Sequence, residues 1–383
     1  MKSNKIRLGE QCVVTSSKRF HLSERITQGV PFYCSKEIIK KFNGEDVTEC
    51  DYISEDLYKK VSNEFGVPKE NDLLITTRGT IGIPYLYKRT DRFYFADGNL
   101  TWIKDFDSNL YSKFLYYWFQ SYEGRKKFEA LAKGTAQKAV PISGIKTLEI
   151  ELPSLKSQKR IADILSAYDD LIENNQKQIK LLEEAAQRLY KEWFVDLRFP
   201  GHENTKIVDG VPEGWSRTNI NEILTFHRGY DLTKNEMKAG RYPVVGSTTV
   251  IGYHNEFKIK GPGIVTGHSG SLGKYQFIWD NFWPHNTSLY ISDYKDHNIF
   301  FVYSLLQTVD FASLNNGGAI PTLNRNVLSN IEVIEPTDEL QEMFAKIAEA
   351  QYRKIRNLEK QNNQLKMARD VLLPKLMSGE VEV

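Results

Sequence analysis

The chain has 383 residues, 40% of them hydrophobic and 26% charged, with a formal net charge of +2 at pH 7. This length predicts at least two domains with their own cores, and the near-neutral charge excludes a polycation that would bind nucleic acid over its whole surface. Three cysteines without C-x-x-C spacing indicate reduced thiols, and the sequence has neither an apolar leader nor an apolar run of about 18 residues. We therefore expect a cytoplasmic protein without a membrane segment.

Residues 1–152 form the first predicted globule. Alternating apolar residues and turn signals predict strands over 6–14, 71–77, 93–103 and 147–152, and helices over 110–120 and 124–132. Basic, polar or Gly-rich loops interrupt these elements. The candidate binding residues in the loops are Lys18, Arg19, Arg78, Gly79, Thr80, Lys133, Thr135, Gln137 and Lys138.

Residues 153–198 are predicted to form one long helix with a narrow apolar seam. Apolar residues recur at steps of three and four between 157 and 194, flanked by charged and amide side chains. This heptad pattern is typical of a coiled-coil helix, here on the order of 55–60 Å long. The seam includes Ile161, Leu165, Ile172, Asn175, Ile179 and Leu182. One narrow apolar stripe needs a partner helix.

Residues 199–335 form the second predicted globule, which begins with a turn-rich linker over 199–215. The order of its elements repeats the first globule, from a strand with a Gly-rich turn to a closing strand before a proline. Repetition at this long period indicates a tandem duplication. The matching loops carry the candidates His227, Arg228, Tyr230, His268, Ser269, Ser271, Asn316, Thr322, Asn324 and Arg325.

Residues 336–383 repeat the spacer helix 183 positions later. The repeated seam includes Ile355, Leu358, Asn362, Leu365 and Leu372. An antiparallel pair aligns if it joins residues whose numbers add up to 537, which places Asn175 opposite Asn362. A polar pair within an apolar seam costs stability but selects one register and orientation. The same seam would also serve a homodimer, so self-association remains an alternative.

This organisation predicts an α+β protein with two tandem globules separated by two long antiparallel coiled-coil helices. A pseudo-twofold axis would relate the two halves. DNA also has local twofold axes, so such a protein would meet two half-sites on one face of the duplex. Because the globules differ in sequence, the expected DNA target is bipartite and asymmetric, with an unread gap.

The chemistry of the candidate loops suits DNA contacts. Gly-rich turns let backbone N–H groups approach phosphate, and neighbouring basic or amide side chains can bond to phosphate or to base edges. Tight turns and solvated surface loops would explain the same residues without DNA. The DNA contacts are therefore hypotheses for each residue.

Motifs for catalysis are missing from the sequence. It contains no Asn-Pro-Pro-aromatic or Asp-Pro-Pro-aromatic tetrapeptide for base methylation, and the nearest P-loop candidate has Tyr275 where Ser or Thr is required. His254, His268 and His285 lack a carboxylate or thiolate at zinc-ligand spacing. We therefore expect no catalytic residue, metal or cofactor in this chain.

Several segments, in this order, resemble the specificity subunit of type I restriction–modification enzymes. They are Gly29-Val30-Pro31-Phe32, Leu152-Pro153 ahead of Gln158 and Ile161, Trp193-Phe194, Tyr242-Pro243-Val244-Val245-Gly246, and Leu372-Leu373-Pro374-Lys375-Leu376-Met377-Ser378-Gly379. The resemblance covers essentially the whole chain and implies two target-recognition domains joined by paired helices. It also implies double-stranded DNA, two adenine-methyltransferase (modification) subunits and restriction or translocase subunits as partners. S-adenosylmethionine, and ATP with Mg²⁺, would be cofactors of those partner subunits.

Two other classes of protein are compatible with the same features. The chain could be a coiled-coil scaffold that joins two protein partners without binding DNA. It could also be the recognition subunit of another multi-subunit restriction or methylation system. A scaffold would show no steep salt dependence of DNA affinity, which separates the first class from the others.

Overall fold

Two long helices contribute residues to both compact parts of the molecule. The computed structural model describes residues 4–134, 138–267, 274–309 and 331–383. Unit 1 comprises Met1–Gln176 and Glu359–Val383, and unit 2 comprises Lys177–Leu358. Each unit therefore holds one globule together with a portion of both long helices.

The strands of unit 1 are short and mostly antiparallel. They are β1 (Asn4–Arg7), β2 (Val13–Thr15), β3 (Val30–Tyr33), β4 (Asp51–Ile53), β5 (Leu73–Thr76), β6 (Pro84–Leu86), β7 (Tyr94–Phe95), β8 (Leu100–Lys104) and β9 (Glu149–Leu152). One sheet has the order β2-β8-β5-β6, a second has the order β4-β3-β7, and β1 pairs with β9. All four residues of β5 are buried, so this strand lies at the centre of the globule.

The short helices of unit 1 cover these sheets. They are α1 (Ser35–Asn43), α2 (Glu55–Glu64), α3 (Ser112–Gln120), α4 (Tyr122–Glu129) and α5 (Ile142–Lys146). Local capping defines the ends of the first two: the Ser54 hydroxyl accepts the Leu57 N–H at the start of α2, and Gly44 adopts a left-handed conformation after α1. Helix α3 packs its aromatic side chains into the same apolar cluster as β5.

Two strands that the sequence predicted as continuous are each broken in the structure. The predicted strand 6–14 is interrupted by a 3₁₀ turn at Leu8–Glu10, because Leu8 turns inward and is fully buried. The predicted strand 93–103 is interrupted after β7, where Gly98 has a φ of 75° that glycine adopts without strain. The second break creates a loop that becomes part of the candidate site.

Unit 2 contains a second set of short strands. They are β10 (Ile207–Val208), β11 (Val211–Pro212), β12 (Ser216–Asn219), β13 (Thr225–Arg228), β14 (Tyr242–Val245), β15 (Val250–His254), β16 (Gly263–Gly267), β17 (Tyr275–Ile278), β18 (Trp283–Pro284), β19 (Ser288–Asp293) and β20 (Glu332–Glu335). The sheet orders are β13-β19-β16-β17, β15-β14-β18 and β12-β20, with β10 and β11 forming a separate hairpin. The short helices are α7 (Ile220–Ile223) and α8 (Ile299–Thr308).

The strand orders confirm the predicted repetition of the two globules. The four-stranded, three-stranded and two-stranded sheets of unit 1 each have a counterpart of the same order in unit 2. The parallel pairs agree as well, since β3 pairs with β7 and β14 pairs with β18. Helices α1 and α2 are the main difference, because the corresponding described segments of unit 2, residues 246–249 and 255–262, contain no helix.

The first long helix, α6, spans Leu155–Tyr190 and continues as a π-helical turn over Lys191–Val195. The second, α9, spans Asp338–Ser378. Their N-terminal turns repeat one contact: the Gln158 amide donates to the Pro153 carbonyl, and the Gln341 amide donates to the Pro336 carbonyl. No helix in the described ranges is long and apolar enough to cross a membrane.

Within unit 1 the two long helices pack antiparallel. The Asn175 amide donates to the Asn362 side-chain oxygen at 2.9 Å, and the Arg369 guanidinium donates to Asp169 at 2.6 Å. As residue numbers rise along α6, those of the partners on α9 fall. Four seam residues of α6 are buried here: Ile161, Leu165, Ile172 and Asn175. On α9, Leu365 and Leu372 are half-buried, while the neighbouring Leu373 is buried.

Within unit 2 the remaining parts of the helices share one apolar cluster. Trp193 and Phe344 have ring centroids 6.2 Å apart, which is the pairing that the sum of 537 predicts. Ile355 and Leu358 are buried, and Ile179 and Leu182 are half-buried. The same register thus appears in the helix portions of each unit.

Candidate nucleic-acid interface

Three chain segments of unit 1 meet at one edge of its four-stranded sheet. Thr15, at the end of β2, pairs with Trp102, and Thr76, at the end of β5, pairs with Leu100 at the start of β8. The loops after β2, after β5 and before β8 therefore leave the sheet on the same side. They carry Arg19, Arg78 and Asp97 respectively.

The Lys133 loop joins this edge through the backbone. Ala139 makes isolated bridge pairs with both Arg78 and Lys133, and the Val140 N–H donates to the Thr77 carbonyl at 2.9 Å. The structure thus brings together predicted residues that lie more than fifty positions apart in sequence. Lys138, in the same loop, is exposed.

A concavity of about 330 Å³ lies between these loops. Its lining combines two cationic side chains with one carboxylate and with hydroxyl groups. The residues are Ser16, Thr77, Arg78, Asp97, Gly98, Leu100, Thr101, Lys133, Ala139, Val140, Pro141 and Ile142. Arg78, Gly79, Thr80 and Lys133 are exposed, so their polar groups are accessible to a large ligand.

Asp97 is the acidic member of this lining. Burial by itself raises the pKa of its carboxyl, but hydrogen bonds from Ser16 and Arg19 outweigh that effect and hold the pKa below its usual value. Ser16 donates to Oδ1 at 2.7 Å, and the Arg19 Nε–H donates to Oδ2 at 2.8 Å. The side chain is therefore an oriented carboxylate at neutral pH. Sequence reasoning did not select it.

Lys18 and Arg19 diverge although they are adjacent in sequence. The Lys18 backbone N–H donates to the Tyr94 hydroxyl at 2.8 Å, and its ammonium group lies 4.7 Å from the centroid of the Phe65 ring. Arg19 instead turns to Asp97 and keeps 77% of its side chain exposed. Of the two, only Arg19 is bonded to a residue that lines the concavity, Asp97.

The described candidates of unit 2 lie at the corresponding sheet edge. The Arg228 Nε–H donates to the Asn286 carbonyl at 3.0 Å, and the Tyr230 and Tyr290 hydroxyl oxygens are 2.9 Å apart. The His227 ring lies 6.1 Å from the Tyr230 ring and nearly parallel to it. These contacts hold the side chains in place, with His227 and Arg228 exposed.

Nine predicted residues lie outside the described part of the chain. They are Thr135, Gln137, His268, Ser269, Ser271, Asn316, Thr322, Asn324 and Arg325. Strand β16 ends at Gly267, directly before three of them.

Comparison with known sequences bears on both globules. The family described as "Type I restriction modification DNA specificity domain" matches residues 3–184 and again residues 212–367. The chain belongs to this family. The two matches correspond to the two globules with their following helices, so the duplication seen in the sheets is also a duplication of the family's own unit.

Members of this specificity family cover most of the chain. It is 28% identical over 302 residues to the type I restriction enzyme MjaIX specificity subunit of Methanocaldococcus jannaschii, covering 71% of this chain and 69% of the relative. It is 23% identical over 358 residues to the HindI specificity subunit of Haemophilus influenzae, covering 70% and 77%. The crystal structure of a type I S subunit from M. genitalium shares the fold, with a TM-score of 0.64 at 20% identity over 98% of this chain and 96% of that one.

The described side chains of this specificity-family member form no metal site. Among residues 4–134, 138–267, 274–309 and 331–383, no group of three or more His, Cys, Asp or Glu side chains is placed to hold a metal ion. His254 is buried, and its Nδ1 accepts the Lys238 N–H at 3.0 Å. Its ring therefore has a structural partner within the globule.

Proposed function

We propose that this chain is the sequence-specific DNA-binding subunit of a type I restriction–modification complex and that it reads an asymmetric, bipartite target. One observation carries the proposal: the two units repeat the same sheets, yet the loops at the equivalent sheet edges carry different side chains. A repeated framework with different contacts suits two reading sites for two different half-sites. Each half-site would be read by one globule.

The loop chemistry supports DNA as the ligand. Arg78 and Lys133 provide exposed positive charge beside backbone turns, which suits phosphate contact. Asp97, Arg228 and His227 provide hydrogen-bonding groups that can reach base edges in the major groove. A mixture of both kinds of contact is what a sequence-specific interface needs.

Partner subunits follow from the family and from the repeat. Two copies of a methyltransferase subunit would bind to the two repeated halves, and restriction or translocase subunits would join the nuclease form. S-adenosylmethionine, and ATP with Mg²⁺, would be bound by those partners. The complex would act on chromosomal DNA in the cytoplasm.

Methylome mapping in cells with and without this gene tests the proposal. We expect methylated adenines in one asymmetric bipartite motif to disappear on deletion and to return when the full-length chain is supplied. The control is a chain with Arg89→Ala, an exposed residue outside the candidate loops, which should restore the same motif. A methylation pattern that does not respond to the gene would refute the proposal.

A further inference from the structure

The loops after β2 and β13 occupy equivalent places in the two units. Thr15 of β2 pairs with Trp102 of β8, and His227 of β13 pairs with Tyr290 of β19. Strands β8 and β19 have the same place in the two four-stranded sheets. Arg19 comes four residues after Thr15, and Asp231 comes four residues after His227. Arg19 and Asp231 therefore hold equivalent positions in the two loops, counted from the paired strand residues.

The loops before β8 and β19 are equivalent in the same way. Tyr33 pairs with Phe95 at the end of β7, and Val245 pairs with Pro284 at the end of β18. Two residues later lie Asp97 in unit 1 and Asn286 in unit 2.

In each unit a hydrogen bond joins the two loop positions, but the side chains at those positions differ. In unit 1 the Arg19 guanidinium donates to the Asp97 carboxylate. In unit 2 the Asn286 amide donates to the Asp231 carboxylate. The same two loop positions thus hold a cation with a carboxylate in one globule and a carboxylate with an amide in the other.

Asp97 keeps acceptor capacity after these contacts. An ionised carboxylate offers about four acceptor positions. Ser16 and Arg19 occupy one on each oxygen, and the Gly98 backbone N–H also stabilises the charged form. The side chain is 22% exposed and faces the concavity that Arg78 and Lys133 also line. These donors orient the carboxylate and leave at least one acceptor position for a ligand.

A carboxylate on a DNA-binding surface discriminates between DNA groups. It is repelled by phosphate and by the carbonyl and ring-nitrogen acceptors of bases, whereas the exocyclic amines of cytosine N4 and adenine N6 donate to it in the major groove. Arg19 holds the carboxylate in place and leaves its own exposed surface toward solvent.

We propose that Asp97 is a specificity-determining residue that accepts a hydrogen bond from a base amine, cytosine N4 or adenine N6, in the half-site read by unit 1. Asn286 occupies the equivalent reading position in unit 2. Its amide nitrogen donates to Asp231, so the group is oriented differently and selects a different base. This inference rests on the proposed function and names the side chain that carries part of it.

The test is selection of bound duplexes from a randomised library by the full-length chain, in the complex in which it purifies. Wild type is compared with Asp97→Asn, Asn286→Asp and Arg19→Ala, and with Asp163→Asn as a control on an exposed carboxylate of α6.

Asp97→Asn keeps an acceptor for Ser16 and introduces an amide N–H donor. We expect it to change base preference at one or two adjacent positions of a single half-site, with roughly 5- to 150-fold loss of discrimination against the wrong base. If the wild-type motif has adenine at that position, Asp97 reads N6; if it has cytosine, Asp97 reads N4.

The other variants separate base reading from a supporting role. Asn286→Asp should change preference only in the opposite half-site. Arg19→Ala should weaken binding to all sequences and reduce discrimination at the position that Asp97 reads, without the new base preference that Asp97→Asn introduces. Unchanged preferences with Asp97→Asn, or the same altered preference with Arg19→Ala, would overturn the inference. A wild-type chain that enriches no sequence would instead refute the proposed function itself, and thermal melts establish that each variant is folded.

Discussion

One equivalent layer between the two long helices has a different composition in each unit. In unit 1, Arg369 of α9 and Asp169 of α6 form an ion pair, with side chains 23% and 26% exposed. The Tyr117 hydroxyl of α3 donates to the other oxygen of Asp169 at 2.7 Å. This polar layer therefore connects both long helices to the globule.

The equivalent layer of unit 2 is apolar. The two long helices repeat at an offset of 183 residues, so Tyr352 occupies the position equivalent to Asp169, and Ala186 the position equivalent to Arg369. Tyr352 and Ala186 are buried in one apolar cluster. The Tyr352 ring stacks against Phe277 and Phe300, with interplanar angles of 2° and 12° respectively. Aromatic packing replaces the ion pair, and burial raises the pKa of the Tyr352 hydroxyl.

The difference explains how two similar helices can favour each other over their own copies. Two copies of α6 paired in this geometry would place Asp169 opposite Ala186, without a cation. Two copies of α9 would place Arg369 opposite Tyr352. Asn175 would likewise face Ile179 instead of Asn362. Unpaired polar groups in a seam disfavour such homotypic pairs, so the polar layers select the mixed pair.

The largest effect is expected from imposing the unit 1 chemistry on unit 2. Ala186→Arg would force a long cation into a fully buried position against Tyr352, at a cost of at least about 3 kcal/mol. Denaturant unfolding followed by circular dichroism measures the change. Ala185→Arg is the matched control, since Ala185 is exposed and should tolerate the substitution. Equal effects at the two positions would contradict the assigned helix orientation.

A smaller effect is expected at the asparagine layer. Asn175→Leu leaves the buried Asn362 amide without this partner and should lower the free energy of unfolding by about 1–3 kcal/mol. The double change Asn175→Leu with Asn362→Leu should recover that stability but permit homotypic pairing. Sedimentation analysis over a range of concentrations detects the resulting oligomers. A double variant that keeps the oligomeric state of wild type at every concentration would show that the asparagines select nothing.

The ion pair itself should contribute less. Arg369→Ala removes one partner of a carboxylate that is about three-quarters buried but still bonded to Tyr117, so we expect a loss of about 1–2 kcal/mol. Arg353→Ala, which breaks an exposed i,i+4 pair with Glu349, should cost no more than about 0.5 kcal/mol. Thermal unfolding of both variants compares the two environments. Equal losses would mean that burial of the layer has no energetic consequence.

Exposed loop charge should affect DNA binding and leave stability unchanged. If Lys133 contacts phosphate, Lys133→Ala should reduce the salt dependence of DNA binding by about one unit of slope. Titrations at several salt concentrations measure it, with Lys159→Ala on the exposed face of α6 as control. The same reduction with Lys159→Ala would locate the DNA elsewhere.

Periodicity and repetition were sufficient to predict the two long helices and the duplication of the globules, because both signals extend over many residues. Helices α1 and α2 were missed, since each spans about ten residues whose capping signals compete with neighbouring strand patterns. They are also present in one globule only, so the repeat gave no guidance.

Asp97 could not be found from sequence for a different reason. Its partners Ser16 and Arg19 lie 81 and 78 positions away, and its loop was hidden inside a predicted continuous strand. The Asp169–Arg369 pair was equally hidden, because an acid and a base on two distant helices carry no local pattern. Arg78 and Lys133 were predicted from local loop chemistry, but their shared concavity depends on the bridge pairs to Ala139.

The most direct test of one globule per half-site is the methylated or bound motif of the Arg78→Ala chain compared with that of wild type. Arg78 lies at the sheet edge of unit 1, so the account predicts relaxed or lost discrimination in one half-site, with the other half-site unchanged. Equal loss of discrimination in both half-sites would contradict it.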